Sequence, residues 1–185
     1  MPATRKRHVK GMVIIDLIKF LKHYAKSAPL GYMGPSVEKL FTTRLLGSAW
    51  YELEPFLGLL QFTDALYLKG NELRTLEFAA AGGVQNLRTV YKAYTKEGDA
   101  HGSVMAMRHA WGAMYDFAEL SVEFDDAHTV QFKLAEYEGL AMSHALMTAG
   151  WGLAAARVAG CADAKVEIID RPWRGSVSYR YQVRF

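Results

Sequence analysis

The last third of the chain, residues 119–185, constrains the fold more than any other segment. Four stretches in it alternate apolar and polar residues: AELSVEFDD, HTVQFKLAEY, AKVEIID and VSYRYQVRF. This alternation is typical of strands with one buried face and one wet face. A single apolar helix, GLAMSHALMTAGWGLAAARVAGC, separates the first pair from the second. The pattern predicts the order strand–strand–helix–strand–strand, in which each pair of strands forms an antiparallel hairpin.

The preceding segment, residues 11–117, has helical periodicity instead. Val13, Leu17 and Leu21 recur at helical spacing between charged residues, which predicts an amphipathic helix. Ser36 is a plausible N-cap of a second helix, and Pro55 suits the first turn of a third. We therefore expect an α+β fold, in which a helical N-terminal half packs on a four-stranded antiparallel sheet.

Two pairs of glycines interrupt helical segments. Gly150 and Gly152 lie in a stretch that matches the dinucleotide-binding pattern G-x-G-x-x-A. That fingerprint requires a strand directly before it, whereas these glycines fall in the middle of a helix, so the sequence favours close packing against the sheet over phosphate binding. Gly82 and Gly83 predict a break, a kink or a tight helix crossing in the long helix that follows Gly70.

Composition limits the domain organisation and the location. The 185 residues are 51% hydrophobic and 22% charged, with a net charge of +3. We expect one α+β domain over residues 11–185, with 11–117 mainly helical and 118–185 as ββαββ, after a basic, disordered N-terminus at residues 1–10. The basic run TRKRHVK could alternatively contact phosphates or anionic lipid. We predict a cytoplasmic protein, since no signal peptide and no membrane-spanning apolar run is evident.

The residues expected of an enzyme or a metal centre do not form a recognisable constellation. The six histidines form no H-x-x-x-H pair, and the single Cys161 cannot build a disulfide framework or a cysteine metal cluster. No nucleophile elbow or Walker motif occurs. The sequence therefore predicts a non-enzymatic protein without a bound metal.

Histidine could still serve as the axial ligand of a haem. His109 lies four residues after Met105, on the same helical face, and His144 lies in the long apolar helix. A haem hypothesis takes His109 or His144 as the iron ligand. The alternative is a half-buried histidine that is bonded to backbone or water.

Arginines and aromatics interleave near the C-terminus, around Trp173 and along the last strand. Such residues could stack on bases and contact phosphates. The same pattern is typical of a strand with Tyr179 and Tyr181 on one face and Arg180 and Arg184 on the other. We favour the strand interpretation and predict no nucleic-acid partner.

Methionine and aromatic side chains are plentiful, with eight Met, four Trp, ten Tyr and nine Phe. Such a set can line an apolar pocket or an interface, or it can form the core. The predicted pocket consists of residues on the last helix of the N-terminal half and on the long apolar helix: Met105, His109, Trp111, Tyr115, His144, Met147 and Trp151.

Several blocks together resemble a known superfamily. They are V-K-G at Val9–Gly11, GSAWYELEPFLGLL, LRTVYKAY, RHAWGAMYDFAELSVE and the AARVAGC segment before the last hairpin. With this layout, the chain resembles the haem nitric-oxide-binding-like superfamily, which includes the 4-vinyl-reductase domains and the small subunits of TRAPP tethering complexes. Within it, the chain is most similar to a family of about this size known mainly from myxobacteria.

The resemblance implies a sensor-like fold and dimerisation. Its haem-binding branch carries a Y-x-S-x-R clamp for the propionates and a proximal histidine, whereas the comparable stretch here, Tyr179–Arg184, has no serine. We therefore predict a non-enzymatic regulatory or scaffold domain, a homodimer without a cofactor that binds a small apolar ligand or a protein partner. The alternative is a haem-based gas or redox sensor, and an enzyme of unknown class is the third hypothesis.

Overall fold

The computed structural model describes residues 6–24, 33–135 and 140–185. It has an α+β architecture that divides into two compact units. Unit 1 comprises Met1–Lys69 and Ala113–Phe117, and unit 2 comprises Gly70–Gly112 and Ala118–Phe185. The chain thus returns briefly to unit 1 between the helices and the sheet of unit 2.

Unit 1 is built from α1 (Gly11–Tyr24), α2 (Pro35–Thr42) and α3 (Leu53–Thr63), and α3 continues into a π-helical turn at Asp64–Leu68. Of the apolar stripe predicted for α1, Leu17 and Leu21 are buried and Val13 is half-buried. The N-cap of α2 is Gly34 and not Ser36, because the chain enters the helix with a positive φ of 77°. The fully buried core of unit 1 includes Val9, Ile14, Leu53, Phe56 and Leu59.

A short ribbon in unit 1 corrects the prediction of a disordered N-terminus. β1 (His8–Lys10) pairs antiparallel with β2 (Trp50–Glu52), and Val9 lies opposite Tyr51. Val9 is fully buried, and its burial anchors an otherwise polar strand. Residues 1–5 of the predicted terminus lie outside the described residues. A three-residue strand with one buried side chain leaves almost no periodic signal in the sequence.

Unit 2 contains the predicted sheet. Its strands are β3 (Leu120–Asp126), β4 (Thr129–Leu134), β5 (Lys165–Asp170) and β6 (Tyr179–Arg184), in the spatial order β3-β4-β6-β5. All neighbouring strands are antiparallel. On the inner face, Phe132 lies opposite Tyr181, and their rings stack with centroids 4.7 Å apart. The α+β class and the strand–strand–helix–strand–strand order are therefore confirmed.

The helices of unit 2 form two layers beside the sheet. They are α4 (Glu72–Arg88), α5 (Ala100–Met105), α6 (Met107–Met114, whose end belongs to unit 1) and α7 (Met142–Val158). Buried residues occur on every side of α7 because it packs against the sheet, α4 and α5. Among the described residues, no helix is both long and apolar enough to cross a membrane.

Glycines set the distance between α4 and α7. A Cβ built on Gly150 would lie 2.5 Å from the Cβ of Ala79 and 2.8 Å from the carbonyl oxygen of Leu76. A Cβ on Gly83 would lie 2.8 Å from that of Ala154. The helices are therefore in backbone contact, and α4 runs unbroken through Gly83. The predicted close packing against the sheet is found at Gly152, where an added Cβ would lie 3.2 Å from a side-chain carbon of Val183, whereas Gly150 packs against α4 instead. Neither glycine lies in a phosphate loop, since both fall inside α7.

Candidate functional site

The predicted pocket residues are divided between the two units. Tyr115 belongs to unit 1, where it forms a bridge with Val9 and packs edge-on against Phe117 with ring centroids 5.6 Å apart. The remaining six lie in unit 2, at the end of α5, on α6 and on α7: Met105, His109, Trp111, His144, Met147 and Trp151. That these side chains line one pocket stays a prediction.

His144 and Trp111 form part of the core of unit 2. The side chain of His144 is 1% exposed and that of Trp111 is 4% exposed. Their rings meet edge to face, with centroids 5.8 Å apart and an interplanar angle of 75°. The indole Nε1 of Trp111 donates a hydrogen bond to the carbonyl oxygen of Ala118 at 3.3 Å. An iron ligand needs a ring nitrogen that faces the porphyrin, and this imidazole is enclosed by packed side chains.

Trp151, two helical turns after His144 on α7, packs against a second aromatic group. It is half-buried, and its ring lies edge-on to that of Tyr91 with centroids 5.3 Å apart. Tyr91 is buried and in turn contacts Tyr94. Met105 and Met147 are half-buried on their helices. Trp151 therefore joins α7 to the segment that follows α4.

Two exposed histidines lie on the consecutive helices α5 and α6. His109 is exposed on α6, and His101 is exposed in the first turn of α5. The start of α5 is well defined because the carboxylate of Asp99 accepts a hydrogen bond from the backbone N–H of Gly102 at 2.7 Å. The residue pattern of SVMAMRHAWGAMYDF predicts a helix that starts at Ser103, which leaves His101 outside it. An aspartate three residues before Gly102 was the signal that could have placed it on the helix.

The last strand separates its tyrosines from its arginines. The hydroxyl of Tyr179 donates to the carbonyl oxygen of Ala145 at 2.6 Å, and burial raises the pKa of the Tyr181 phenol. On the opposite face, Arg180 holds Asp170 at 2.6 Å. Hydrogen bonds from Arg180 and Ser178 lower the pKa of the Asp170 carboxyl. The two-face prediction is confirmed, and these tyrosines and arginines do not combine into a clamp.

The arginines beside Trp173 converge on one carboxylate. Glu72, in the first turn of α4, accepts hydrogen bonds from Trp173 Nε1 at 3.2 Å, Arg174 at 2.7 Å and Arg171 at 3.4 Å. Burial alone would raise the pKa of Glu72, but the hydrogen bonds and the positive charge of Arg174 outweigh it and the pKa is lowered. The cluster ties the β5–β6 connection to α4, which supports the structural interpretation of these arginines.

Comparison with known proteins gives a likeness in structure without one in sequence. No family model and no curated protein matches the chain. Among solved structures, a protein that modulates haem redox potential through protein-induced porphyrin distortion has 10% identity, a TM-score of 0.66, and coverage of 95% of this chain and 99% of its own. A mutant of the H-NOX protein from T. Tengcongensis has 13% identity, a TM-score of 0.65, and coverage of 95% and 97%.

A mutant H-NOX protein from S. oneidensis in the Fe(II) ligation state has 10% identity and a TM-score of 0.66, with 95% of each chain covered. The chain has the H-NOX fold. The haem nitric-oxide-binding part of the resemblance is thereby confirmed at the level of the fold. The 4-vinyl-reductase, TRAPP and myxobacterial parts stay predictions.

These neighbours overturn the prediction that the chain has no cofactor, because the H-NOX proteins of this fold are haem proteins. The donor set of the described residues fits haem in one respect, since His101 and His109 offer exposed imidazoles. The donor set does not fit haem in a second respect, because the tyrosines and arginines of β6, which correspond to the propionate clamp, are engaged in other contacts. No group of three metal-ligating side chains occurs in the described ranges, but haem iron needs only one protein ligand.

Proposed function

We propose that this chain is a haem-binding sensor module, of the class that detects a diatomic gas. The observation that supports this proposal is the structural likeness to H-NOX proteins. The likeness covers 95% of this chain and at least 94% of the chain of each of those proteins. The broader prediction of a non-enzymatic regulatory domain with a bound ligand is compatible with it. Haem is the more specific hypothesis, and it replaces the unspecified apolar ligand.

The proposed axial ligand is one of the two exposed histidines of unit 2. His109 was a candidate from the sequence, and its imidazole is accessible on α6. His101 joins it because α5 begins at Ala100. We do not propose His144 as the ligand, because its ring is buried against Trp111. When bound, haem would supply reversible binding of a diatomic ligand at its iron.

No catalytic group is required for this function. A sensor acts when ligand binding shifts the population of two conformations, so binding energy alone suffices. We therefore expect neither turnover nor a catalytic residue. A homodimer and a downstream protein partner stay predictions, and native mass spectrometry of the haem-loaded chain would report both the haem content and the subunit number.

The test is reconstitution of the purified chain with haem, followed by absorption spectroscopy of single variants. We expect a Soret band that shifts when nitric oxide is added to the ferrous protein. His109→Ala and His101→Ala should be compared with His23→Ala, an exposed histidine of α1 in unit 1. One of the first two should abolish or strongly shift the band, and His23→Ala should leave it unchanged.

Three outcomes would overturn the proposal or a part of it. A chain that takes up no haem, while circular dichroism reports a folded protein, refutes the haem-binding function. If His109→Ala and His101→Ala both retain the Soret band, the ligand assignment is refuted. A protein that gains a Soret band without any response to nitric oxide refutes the gas-sensing part.

A further inference from the structure

The connection from α2 to β2 exposes two large apolar side chains on unit 1. We call residues 43–50 the docking loop. Leu46 is 58% exposed and Trp50 is 43% exposed. Of the four tryptophans, Trp50 is the most exposed, since Trp111 is buried and the other two are half-buried. We call these two exposed side chains the apolar tip of the docking loop.

The backbone of the docking loop is held in place from several directions. Gly11 and Met12 donate backbone hydrogen bonds to the carbonyl oxygens of Ala49 at 2.9 Å and of Gly47 at 3.1 Å. The backbone N–H of Leu46 donates to the hydroxyl of Tyr51 at 2.9 Å. A Cβ on Gly11 would overlap the carbonyl oxygen of Leu46. The apolar tip is therefore pre-organised, which lowers the ordering cost of binding.

Positive charge lies directly beside this tip. The ammonium group of Lys10 is 3.9 Å from the centroid of the Trp50 ring and 2.8 Å from the carbonyl oxygen of Ser48. Arg44 is exposed within the loop itself. The basic run noted in the sequence continues from Lys10 back along β1, where Lys6 and Arg7 are paired with Glu52 and Glu54. The cations next to the tip are thus Lys10 and Arg44.

We propose that the docking loop binds an anionic phospholipid surface. Tryptophan and cationic side chains are characteristic of the interface between lipid headgroups and acyl chains, where an indole sits at headgroup level and a cation meets phosphate. Leu46 supplies the aliphatic group that enters the acyl boundary, and Lys10 and Arg44 supply attraction to negative lipid. This attachment is peripheral and does not rest on haem binding.

Charge complementarity favours lipid over a nucleic acid. A nucleic-acid surface would use aromatic faces for base stacking, but Lys10 already covers one face of Trp50. The aliphatic side chain of Leu46 has no counterpart on a phosphate backbone. An anionic membrane instead accommodates the aliphatic, indole and ammonium groups together.

The experiment is co-sedimentation of the full chain with phosphatidylcholine vesicles that contain or lack phosphatidylserine. We expect binding to the phosphatidylserine vesicles that weakens as salt is raised, together with a blue shift of the tryptophan emission. Trp50→Ala and Leu46→Ala should each weaken binding about tenfold, since affinity scales with the apolar area inserted. Lys10→Gln should weaken it about fivefold.

Matched controls separate the docking loop from general stickiness. Val177→Ala removes a fully exposed apolar side chain in unit 2, and Lys69→Gln removes an exposed cation in unit 1, so both should bind as the parent chain does. If the chain does not sediment with the phosphatidylserine vesicles, the proposal is overturned, and a protein partner remains as the candidate for the docking loop. Equal binding by Leu46→Ala, Trp50→Ala and the parent chain also overturns it. Circular dichroism of each variant excludes loss through misfolding.

Discussion

Replacement of Gly150 by alanine tests the backbone contact between α4 and α7. The added Cβ would lie 2.5 Å from the Cβ of Ala79, 2.8 Å from the carbonyl oxygen of Leu76 and 3.0 Å from the backbone nitrogen of Ala80. Two of these three atoms belong to the backbone of α4, so no side-chain rotation can relieve the overlap. The helices must separate, which disturbs the packing on both.

The magnitude follows from two opposing contributions. Overpacking of a tight contact costs about 1–3 kcal/mol, and backbone neighbours place Gly150 towards the upper value. Alanine inside a helix is favoured over glycine by about 1 kcal/mol. We expect Gly150→Ala to lower the free energy of unfolding by about 2 kcal/mol, which corresponds to a decrease in Tm of roughly 4–8 °C for a chain of this size.

Gly82 provides the matched control on the same helix pair. It lies in α4, one residue before Gly83, and a Cβ there would have no heavy atom within 4 Å. Gly82→Ala should therefore raise the free energy of unfolding by up to about 1 kcal/mol. The assay is urea unfolding followed by tryptophan fluorescence, since three of the four tryptophans lie in unit 2. Equal effects of the two alanine substitutions would refute the backbone-contact argument.

Four further substitutions probe other features of unit 2. Tyr179→Phe removes the buried 2.6 Å hydrogen bond to the carbonyl oxygen of Ala145 and should lower the free energy of unfolding by about 1–2 kcal/mol. Tyr181→Phe removes a longer hydrogen bond, 3.4 Å to the carbonyl oxygen of Thr148, and should lower it by less. Equal losses in urea unfolding would contradict this. Ala118 has a φ of 53°, a left-handed conformation that glycine adopts without strain. Ala118→Gly should therefore raise the free energy of unfolding by up to about 1 kcal/mol and increase Tm in a thermal melt. An unchanged or lower Tm would contradict this. Because the pKa of Glu72 is lowered in the folded state, its carboxylate stabilises the fold at neutral pH, and this contribution is lost as the pH falls below about 4.5. The free energy of unfolding of Glu72→Gln should therefore decrease less than that of the parent chain between about pH 5 and pH 3. An unaltered pH profile would count against this prediction.

The predictability of the fold differed between its parts for a physical reason. The ββαββ segment was predictable because each strand segment alternates apolar and polar residues over five or more positions, and this period indicates one buried and one exposed face. The β1–β2 ribbon was not, since strands of three residues are too short to establish a period. The start of α5 was missed because the predicted helix began at Ser103, four residues after the N-cap Asp99.

The candidate site was less predictable than the fold. Sequence spacing treated His109 and His144 as equal candidates, because each lies in an apolar helical segment. Their environments differ completely: one imidazole is exposed on α6, and the other is enclosed beside Trp111. Burial depends on which elements pack together over long sequence separations, and a local pattern contains no record of that.

By itself, the sequence determined the order of the elements, the two faces of the last strand and the packing role of Gly150. These features depend on periodicity and on residues near in the chain. Only the tertiary structure decided that α7 contacts α4 through its glycines, that Glu72 collects the arginines around Trp173, and that the histidines fall into exposed and buried groups. The first two features join residues 71 and 102 positions apart, and the third places His144 against Trp111, 33 positions away, so these contacts form only when the whole unit has folded.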